Sequence, residues 1–140
     1  MLPIPYPDAV PAVYGQFQYT SNPDGSICYI DDAWPRLHIS AGRTSWGVNV
    51  WVNVRILDEV LALLEKAALP EEARPQIVRG YVPKHLNWNP TKPLSLQAWG
   101  AALEIDPGRR PSIALEQAFR EAGWRCGGVT EPWLFERVRS

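Results

Sequence analysis

The sequence predicts an α+β fold in which a small antiparallel sheet carries helices on one side. The first indication is the alternation of apolar and polar residues over positions 48–54, which is typical of a strand with one buried face. The second is a change to helical spacing of apolar residues directly afterwards, over positions 56–64. The third is a helix-like segment, 113–122, between two segments that indicate strands, 101–105 and 133–138. A chain of 140 residues is long enough to bury one core.

The first 45 residues are rich in Pro, Gly, Asp and Ser, and they predict an N-terminal arm or hairpin that precedes a domain over residues 46–140. The turn sequence Asn22-Pro-Asp-Gly25 separates two candidate strands, 16–20 and 26–30, and favours a hairpin. The arm either embellishes the domain or reaches a partner, and the sequence leaves both alternatives open.

The strand at 48–54 should bury one set of side chains and expose the other. Its apolar face holds Val48, Val50, Val52 and Val54, and its other face holds Asn49, Trp51 and Asn53. A helix follows, with acidic residues in its first turn and Lys66 in its last turn, an order that suits the helix dipole. The Leu69-Pro70 pair should end that helix.

The second half of the chain predicts the remaining elements. Residues 76–80 indicate a short strand, residues 81–93 a loop, and residues 101–105 a buried strand. Ser112 is a suitable N-cap for the helix at 113–122, which Gly123 should end. Residues 133–138 indicate the final strand.

The bulk properties exclude several classes of partner. A formal net charge of -1 gives no reason to expect nucleic acid as a partner. No apolar run approaches the roughly 18 residues of a membrane span. The first residues lack the pattern of a signal peptide, so we expect cytoplasmic synthesis. Cys28 and Cys126 are too few for a disulfide framework, and we expect buried free thiols.

The segment 94–106 carries the most informative motif. Its residues Ser95, Gln97, Gly100, Ala102 and Glu104 follow the spacing Ser-x-Gln-x-x-Gly-x-Ala-x-Glu. This resembles the Ser-x-His-x-x-Gly-x-Ala-x-Asp motif of the D-alanyl-D-alanine carboxypeptidase family of cell-wall metallopeptidases. That family includes phage endolysins that cut the L-alanyl-D-glutamate bond, and the His and Asp of its motif are two of three zinc ligands. The resemblance therefore places Gln97 and Glu104 at two ligand positions.

Three further segments extend the resemblance over about residues 48–140. Gly80-Tyr-Val-Pro-Lys-His85 resembles the family's Gly-x-Tyr-x-x-Arg loop, in which the Arg holds a substrate carboxylate; Lys84 has that place here. Gly123-Trp-Arg-Cys-Gly-Gly128 is similar to its Gly-Phe-x-Trp-Gly-Gly turn. Glu131-Pro-Trp-Leu-Phe-Glu136 resembles Asp-Pro-Met-His-Phe-Glu, which implies that Leu134 replaces the third zinc ligand and that Glu131 has the place of the general base.

The chemistry of these replacements argues against zinc. A catalytic zinc site needs three protein donors and an open position for water. Gln97 offers a neutral amide, Glu104 is one plausible donor, and Leu134 offers none. We therefore expect zinc to be absent and the former cleft to be packed at least in part. An alternative is that His38 and His85 rebuild a metal site with Glu104, although a surface or capping role suits both histidines better.

Lys84, Trp99 and Trp133 are the candidate binding residues. Lys84 could hold a carboxylate as a point charge, or it could be a solvated loop lysine. Trp99 and Trp133 flank the altered motif positions and could stack on a sugar or peptide, although Trp99 suits the core better.

These observations lead to three functional hypotheses. The first is a catalytically inactive peptidase-like protein that serves as a structural or interaction component, for example of a phage particle, through protein partners or self-assembly. The second is a module that binds peptidoglycan stem peptides without cutting them. The third is an active zinc cell-wall peptidase with unusual ligands. The fold alone does not choose among them.

Overall fold

The structure is a computed structural model, and it describes residues 10–67 and 69–137. It confirms the α+β class. The helices are α1 (Val10–Tyr14), α2 (Ala33–His38), α3 (Leu57–Lys66) and α4 (Ile113–Glu121), and the strands are β1 (Tyr19–Ser21), β2 (Ile27–Tyr29), β3 (Ile39–Arg43), β4 (Asn49–Asn53), β5 (Val78–Arg79), β6 (Ala102–Ile105) and β7 (Leu134–Glu136). Short 3-10 helices occur at Glu71–Ala73, Leu86–Trp88 and Leu96–Trp99.

The described strands form three small antiparallel sheets, whereas the sequence predicted one sheet. β1 pairs with β2, β3 pairs with β4, and β6 lies between β5 and β7. The second and third sheets still approach each other, since the N–H of Tyr81 donates to the carbonyl of Trp51 at 2.7 Å. Gly80 permits this approach, because a Cβ at position 80 would lie 2.2 Å from the oxygen of Trp51.

The β5–β6–β7 sheet has one apolar face and one mixed face. Directly opposed residues in antiparallel strands share a face. Val78 opposes Ile105, and Leu103 opposes Phe135; all four are buried. The ring of Phe135 packs edge-on against Phe119 of α4, with 4.9 Å between centroids. The other face carries Arg79, Glu104 and Leu134, which lie side by side across the three strands.

Strand β4 buries one residue that the alternation assigned to its polar face. Val50 and Val52 are fully buried as predicted, but Val54 is 51% exposed and Asn53 is 0% exposed. The side-chain nitrogen of Asn53 donates to the carbonyl of Trp99 at 3.0 Å, and the side-chain oxygen of Asn53 accepts from the backbone N–H of Arg55. Asn53 is buried because its hydrogen bond to Trp99 joins the end of β4 to the motif segment. The alternation of apolar and polar residues cannot predict such a contact.

Both long helices form where the sequence predicted them. α3 buries Val60, Leu63 and Leu64. Two other leucines of the same helix, Leu57 and Leu61, lie against Gly42 of β3. α4 begins after Ser112, whose hydroxyl accepts from the N–H of Leu115 at 3.1 Å. This bond satisfies one of the N–H groups that a helix start leaves unpaired. The predicted final strand is confirmed over β7, and Val138 lies outside the described residues.

The described part of the predicted arm contributes to the core. The hairpin is confirmed, with Thr20 opposite Cys28 and Ser21 opposite Ile27. Val10, Tyr14, Ile27 and Trp34 belong to the main cluster of buried apolar residues, and β3 pairs with β4 across the predicted boundary. Residues 1–9 lie outside the described range.

Both cysteines are free, but the expected burial is wrong for one of them. Cys28 is exposed on β2, where its sulfur accepts from the side-chain amide of Asn22 at 3.3 Å, and Cys126 is half-buried. Alternation explains the exposure of Cys28, because its neighbour Ile27 takes the buried face of the short strand.

Candidate functional site

The motif segment folds into a tight turn that leads directly into β6. Ser95 precedes the 3-10 helix Leu96–Trp99, and its hydroxyl accepts from the N–H of Gln97 at 3.1 Å. Gly100 then adopts a left-handed conformation with φ of 67°. A Cβ there would lie 2.5 Å from the backbone nitrogen of Asn53, so conformation and close packing both require glycine. The turn holds Gln97 over the mixed face of the sheet.

The side chain of Gln97 is buried and surrounded by hydrogen-bond acceptors. Its amide nitrogen donates to the carbonyls of Arg79 at 3.2 Å and Gly80 at 3.3 Å. The same nitrogen lies 3.2 Å from a carboxylate oxygen of Glu104, so its two N–H groups serve three acceptors and one of them is shared. Gln97 is 2% exposed. Because three acceptors surround the same place, the side chain must present its NH₂ group there and not its oxygen.

Leu134 lies beside the two polar residues. It opposes Glu104 across the β6–β7 ladder, so the two side chains share the mixed face of the sheet. Leu134 is half-buried and packs against the core cluster. The structure therefore brings Gln97, Glu104 and Leu134 together, and we name these three residues the Gln97 cluster.

The donors of the Gln97 cluster do not fit a catalytic zinc ion. Zinc takes lone pairs from Cys, His, Asp or Glu, usually in a tetrahedral set. Here one position presents an NH₂ group, one presents an isobutyl group, and only Glu104 presents a lone pair. Within residues 10–67 and 69–137, no group of three or more His, Cys, Asp or Glu side chains is placed to hold a metal.

Glu131, at the predicted place of the general base, is exposed in the loop before β7. Its backbone carbonyl accepts from the N–H of Leu134 at 3.0 Å, which forms the turn into the strand.

The three predicted binding residues have separate surroundings. Lys84 is half-buried, and its ammonium lies 5.1 Å from the centroid of the Trp88 ring. Trp99 is 6% exposed, and its indole N–H donates to the carbonyl of Gly15 at 3.1 Å, as a core residue would. Trp133 is half-buried before β7, and its carbonyl accepts from the N–H of Ile105. The contacts of these residues do not define one shared binding surface.

The two histidines have internal partners. His38 is half-buried, stacks on Trp34 and bonds through Nδ1 to the carbonyl of Trp34 at 2.9 Å. His85 is only 4% exposed, so the surface alternative is wrong for it; it stands at the N-cap position of the 3-10 helix Leu86–Trp88, where its side chain makes no capping bond. Its Nε2 lies 2.7 Å from the hydroxyl of Ser21, and its Nδ1 lies 2.6 Å from the carbonyl of Lys92.

A pair of tyrosines near the Gln97 cluster was not predicted. The hydroxyl of Tyr81 donates to that of Tyr29 at 2.7 Å, and Tyr29 faces the carbonyl of Ala98 at 3.5 Å. Burial raises the pKa of Tyr29 above its ordinary value. Burial also raises the pKa of Tyr81. Both hydroxyls therefore stay protonated at neutral pH and tie the hairpin to the loop that carries Lys84.

The described surface has four cavities of note, and no residue of the Gln97 cluster lines any of them. The most apolar has a volume of about 370 Å³ and is lined by Pro11, Gln16, Phe17, Tyr19, Pro93, Leu94 and Trp99. A second cavity of about 430 Å³ shares Gln16 and Phe17 with it. The other two, of about 240 and 280 Å³, lie beside Ser112 and beside Trp46.

No family model matches this chain, and neither a curated protein nor a solved structure does so.

Proposed function

We propose that this protein has no zinc peptidase chemistry at the Gln97 cluster and works as an interaction component of a larger assembly. The observation that carries the proposal is the orientation of the Gln97 amide, whose nitrogen faces two carbonyls and the Glu104 carboxylate.

The energetic argument concerns what a metal ion would displace. To offer zinc a lone pair, Gln97 would have to turn its oxygen toward the carbonyls of Arg79 and Gly80, where acceptor would meet acceptor. Those two carbonyls would also lose this donor, and for the buried carbonyl of Gly80 an acceptor left without a partner costs about 1–3 kcal/mol. Leu134 would contribute nothing in return. The arrangement therefore supports a structural role for the cluster.

The apolar surface supports an interaction role. Several large apolar side chains on the described residues are roughly half exposed or more: Ile30, Leu37, Trp51, Val54, Ile77, Trp88, Ile113 and Val129. Aromatic residues are enriched in protein interfaces. Trp51 is 55% exposed on the face of β4 opposite Val50 and Val52. The resemblance to phage endolysins makes a phage particle the assembly that we favour.

A second candidate function is binding of peptidoglycan stem peptides without cleavage. The observation that favours it is the placement of the Lys84 ammonium 5.1 Å from the half-exposed ring of Trp88. The ammonium of Lys84 can hold a carboxylate, and the ring of Trp88 can stack on an adjoining group. Wall binding of this kind should persist in chelator and should be lost in Trp88→Ala.

The deciding experiment measures sedimentation, metal content and wall binding on the same purified protein. The assembly proposal predicts concentration-dependent self-association that Trp51→Ser weakens, while Trp46→Phe, at a residue partly buried against Pro75, leaves it unchanged. A monomer that binds isolated walls supports the stem-peptide candidate. A zinc-loaded monomer that releases muropeptides, and stops when EDTA is added, contradicts both.

A further inference from the structure

A hydrogen-bonded serine–histidine pair lies outside the Gln97 cluster. The hydroxyl of Ser21, on β1, lies 2.7 Å from Nε2 of His85, which is 64 positions away in the chain. Ser21 is exposed, whereas His85 is 4% exposed. A solvent-facing hydroxyl on a shielded imidazole is the pairing that activates a serine nucleophile.

The second nitrogen of His85 fixes the direction of this hydrogen bond. Nδ1 lies 2.6 Å from the carbonyl of Lys92, and a carbonyl can only accept, so Nδ1 carries the proton. In the neutral ring Nε2 then holds a lone pair, and the hydroxyl of Ser21 must donate to it. The carbonyl of Lys92 thus has the orienting role that a carboxylate has in a catalytic triad.

Backbone hydrogen bonds hold the histidine against the hairpin. The N–H of His85 donates to the carbonyl of Gly25 at 2.8 Å, and the N–H of Ile27 donates to the carbonyl of Pro83 at 3.1 Å. His85 also pairs with Leu94 through an antiparallel bridge. The loop 81–93, which carries His85, is therefore hydrogen-bonded to the hairpin and to the segment that carries Leu94. These bonds keep the imidazole beside Ser21.

An apolar groove lies next to this pair. Tyr19 shares a strand face with Ser21, because the two residues are two positions apart on β1. Its ring centroid lies 6.1 Å from that of His85. Tyr19 and Leu94 both line the cavity of about 370 Å³, together with Phe17 and Trp99. A groove with this lining suits an apolar acyl or aromatic group.

The backbone of Ser21 provides a donor for developing negative charge. Bonds from Asn22 to Ser26 and from Ile30 to Gln18 place Ser21 at a non-hydrogen-bonded position of the hairpin. Its N–H therefore points away from β2, on the outer edge of β1. The N–H of the nucleophile itself is a donor of the kind that stabilises a tetrahedral oxyanion.

We propose that Ser21 and His85 form a metal-independent acyl-transfer site for esters with an apolar acyl or aromatic group. The hydroxyl oxygen of Ser21 bonds to the ester carbon while its proton passes to Nε2 of His85. The alcohol leaves as the carbon–oxygen bond breaks, and it takes that proton. Water then attacks the acyl-serine with His85 again as the base, which yields the carboxylic acid and regenerates Ser21.

This inference is independent of the function proposed for the Gln97 cluster, since it uses different residues and needs no metal. A failure of either proposal leaves the other standing. Zinc analysis and sedimentation test the first, while covalent labelling of Ser21 tests the second.

The test is reaction of the full chain with a fluorophosphonate probe, followed by peptide mass mapping, and hydrolysis of 4-nitrophenyl butyrate in EDTA. We expect one adduct, on Ser21, and ester turnover that the probe abolishes. Ser21→Ala should remove the adduct and lower turnover at least about 100-fold, the usual contribution of such groups. Thr20→Ala, on the opposite face of β1, should leave both unchanged. A folded protein that gives no adduct at Ser21 overturns the proposal.

A second measurement separates a base from a merely structural histidine. The thiol introduced by Ser21→Cys should react with iodoacetamide faster than the exposed Cys28, because His85 accepts its proton. Adding His85→Asn, which can keep a donor toward the carbonyl of Lys92, should remove this advantage. If Cys28 and the new thiol at position 21 react at equal rates in the single variant Ser21→Cys, the role assigned to His85 is contradicted.

Discussion

Gln97 donates a hydrogen bond from its side-chain amide to the carboxylate of Glu104 at 3.2 Å, across seven positions of sequence. The same amide nitrogen faces the carbonyls of Arg79 and Gly80. These bonds join the motif turn, the end of β5 and the middle of β6. The cluster is therefore held by hydrogen bonds among groups of the protein itself, and its stability can be measured.

Removing the Gln97 amide should destabilise the fold. Gln97→Ala leaves two carbonyls and a carboxylate without this donor, in a place where the side chain is 2% exposed, and also opens a cavity. We expect the free energy of unfolding to fall by about 2–4 kcal/mol in urea titrations. The matched control is Gln117→Ala, because Gln117 is exposed and bonds only within α4, to Glu121. Equal losses in the two variants would show that the buried amide has no such role.

Introducing three donors should create a zinc site. The variant Gln97→His, Glu104→Asp, Leu134→His presents two imidazoles and a carboxylate at positions that the structure brings together. We expect it to bind one zinc ion per chain by isothermal titration calorimetry, and the variant that retains Leu134 to bind much more weakly. If the folded triple variant takes up no zinc, the three positions do not converge as described.

Local signals in the sequence account for most of the elements. β4 and α3 were predicted because each has a clear apolar period, and α4 was predicted from its capping serine and the glycine that follows it. The separation into three sheets was not predictable, since it depends on how short strands meet in space. The burial of Asn53 was missed for the same reason: its partner, the carbonyl of Trp99, lies 46 positions away.

The candidate site was predictable only in part. The spacing of Gln97 and Glu104 came from the motif, and Leu134 came from the final segment. The carbonyls of Arg79 and Gly80 carry no side-chain signal, so their bonds to Gln97 could not be inferred. Likewise no local pattern links Ser21 to His85, because only the fold of the hairpin brings them together.

The turn of the hairpin should depend on glycine at position 25. Gly25 has φ of 87°, and a Cβ there would lie 2.0 Å from the carbonyl oxygen of Trp88. Gly108 has a similar φ of 91° with nothing within 4 Å of its Cβ position, so it is a matched control for backbone strain alone. We expect Gly25→Ala to lower the melting temperature clearly more than Gly108→Ala. Equal shifts would show that the hairpin and the loop of Trp88 do not pack as closely as described.

The tyrosine pair should make stability sensitive to alkaline pH. Burial raises the pKa values of Tyr29 and Tyr81 above the ordinary value of 10.0, so the folded state favours the protonated hydroxyls. Their stabilisation is complete below pH 10.0 and is lost as the pH rises toward their folded-state pKa values. Phenolate absorbance should show at least two tyrosines that titrate later in the native protein than in urea. Tyr29→Phe should remove one of them; uniform titration of all tyrosines at the ordinary value would refute this account.

The most direct test of the central claim is the zinc stoichiometry of the purified wild-type chain. The protein should be prepared without chelator, equilibrated with micromolar zinc, passed through a desalting column and measured by inductively coupled plasma mass spectrometry. Because Gln97 presents an NH₂ group and Leu134 presents no donor, we predict far less than one zinc ion per chain, with no change in stability on adding EDTA. One tightly held zinc ion per chain, lost together with stability in EDTA and absent in Glu104→Ala, would contradict the account.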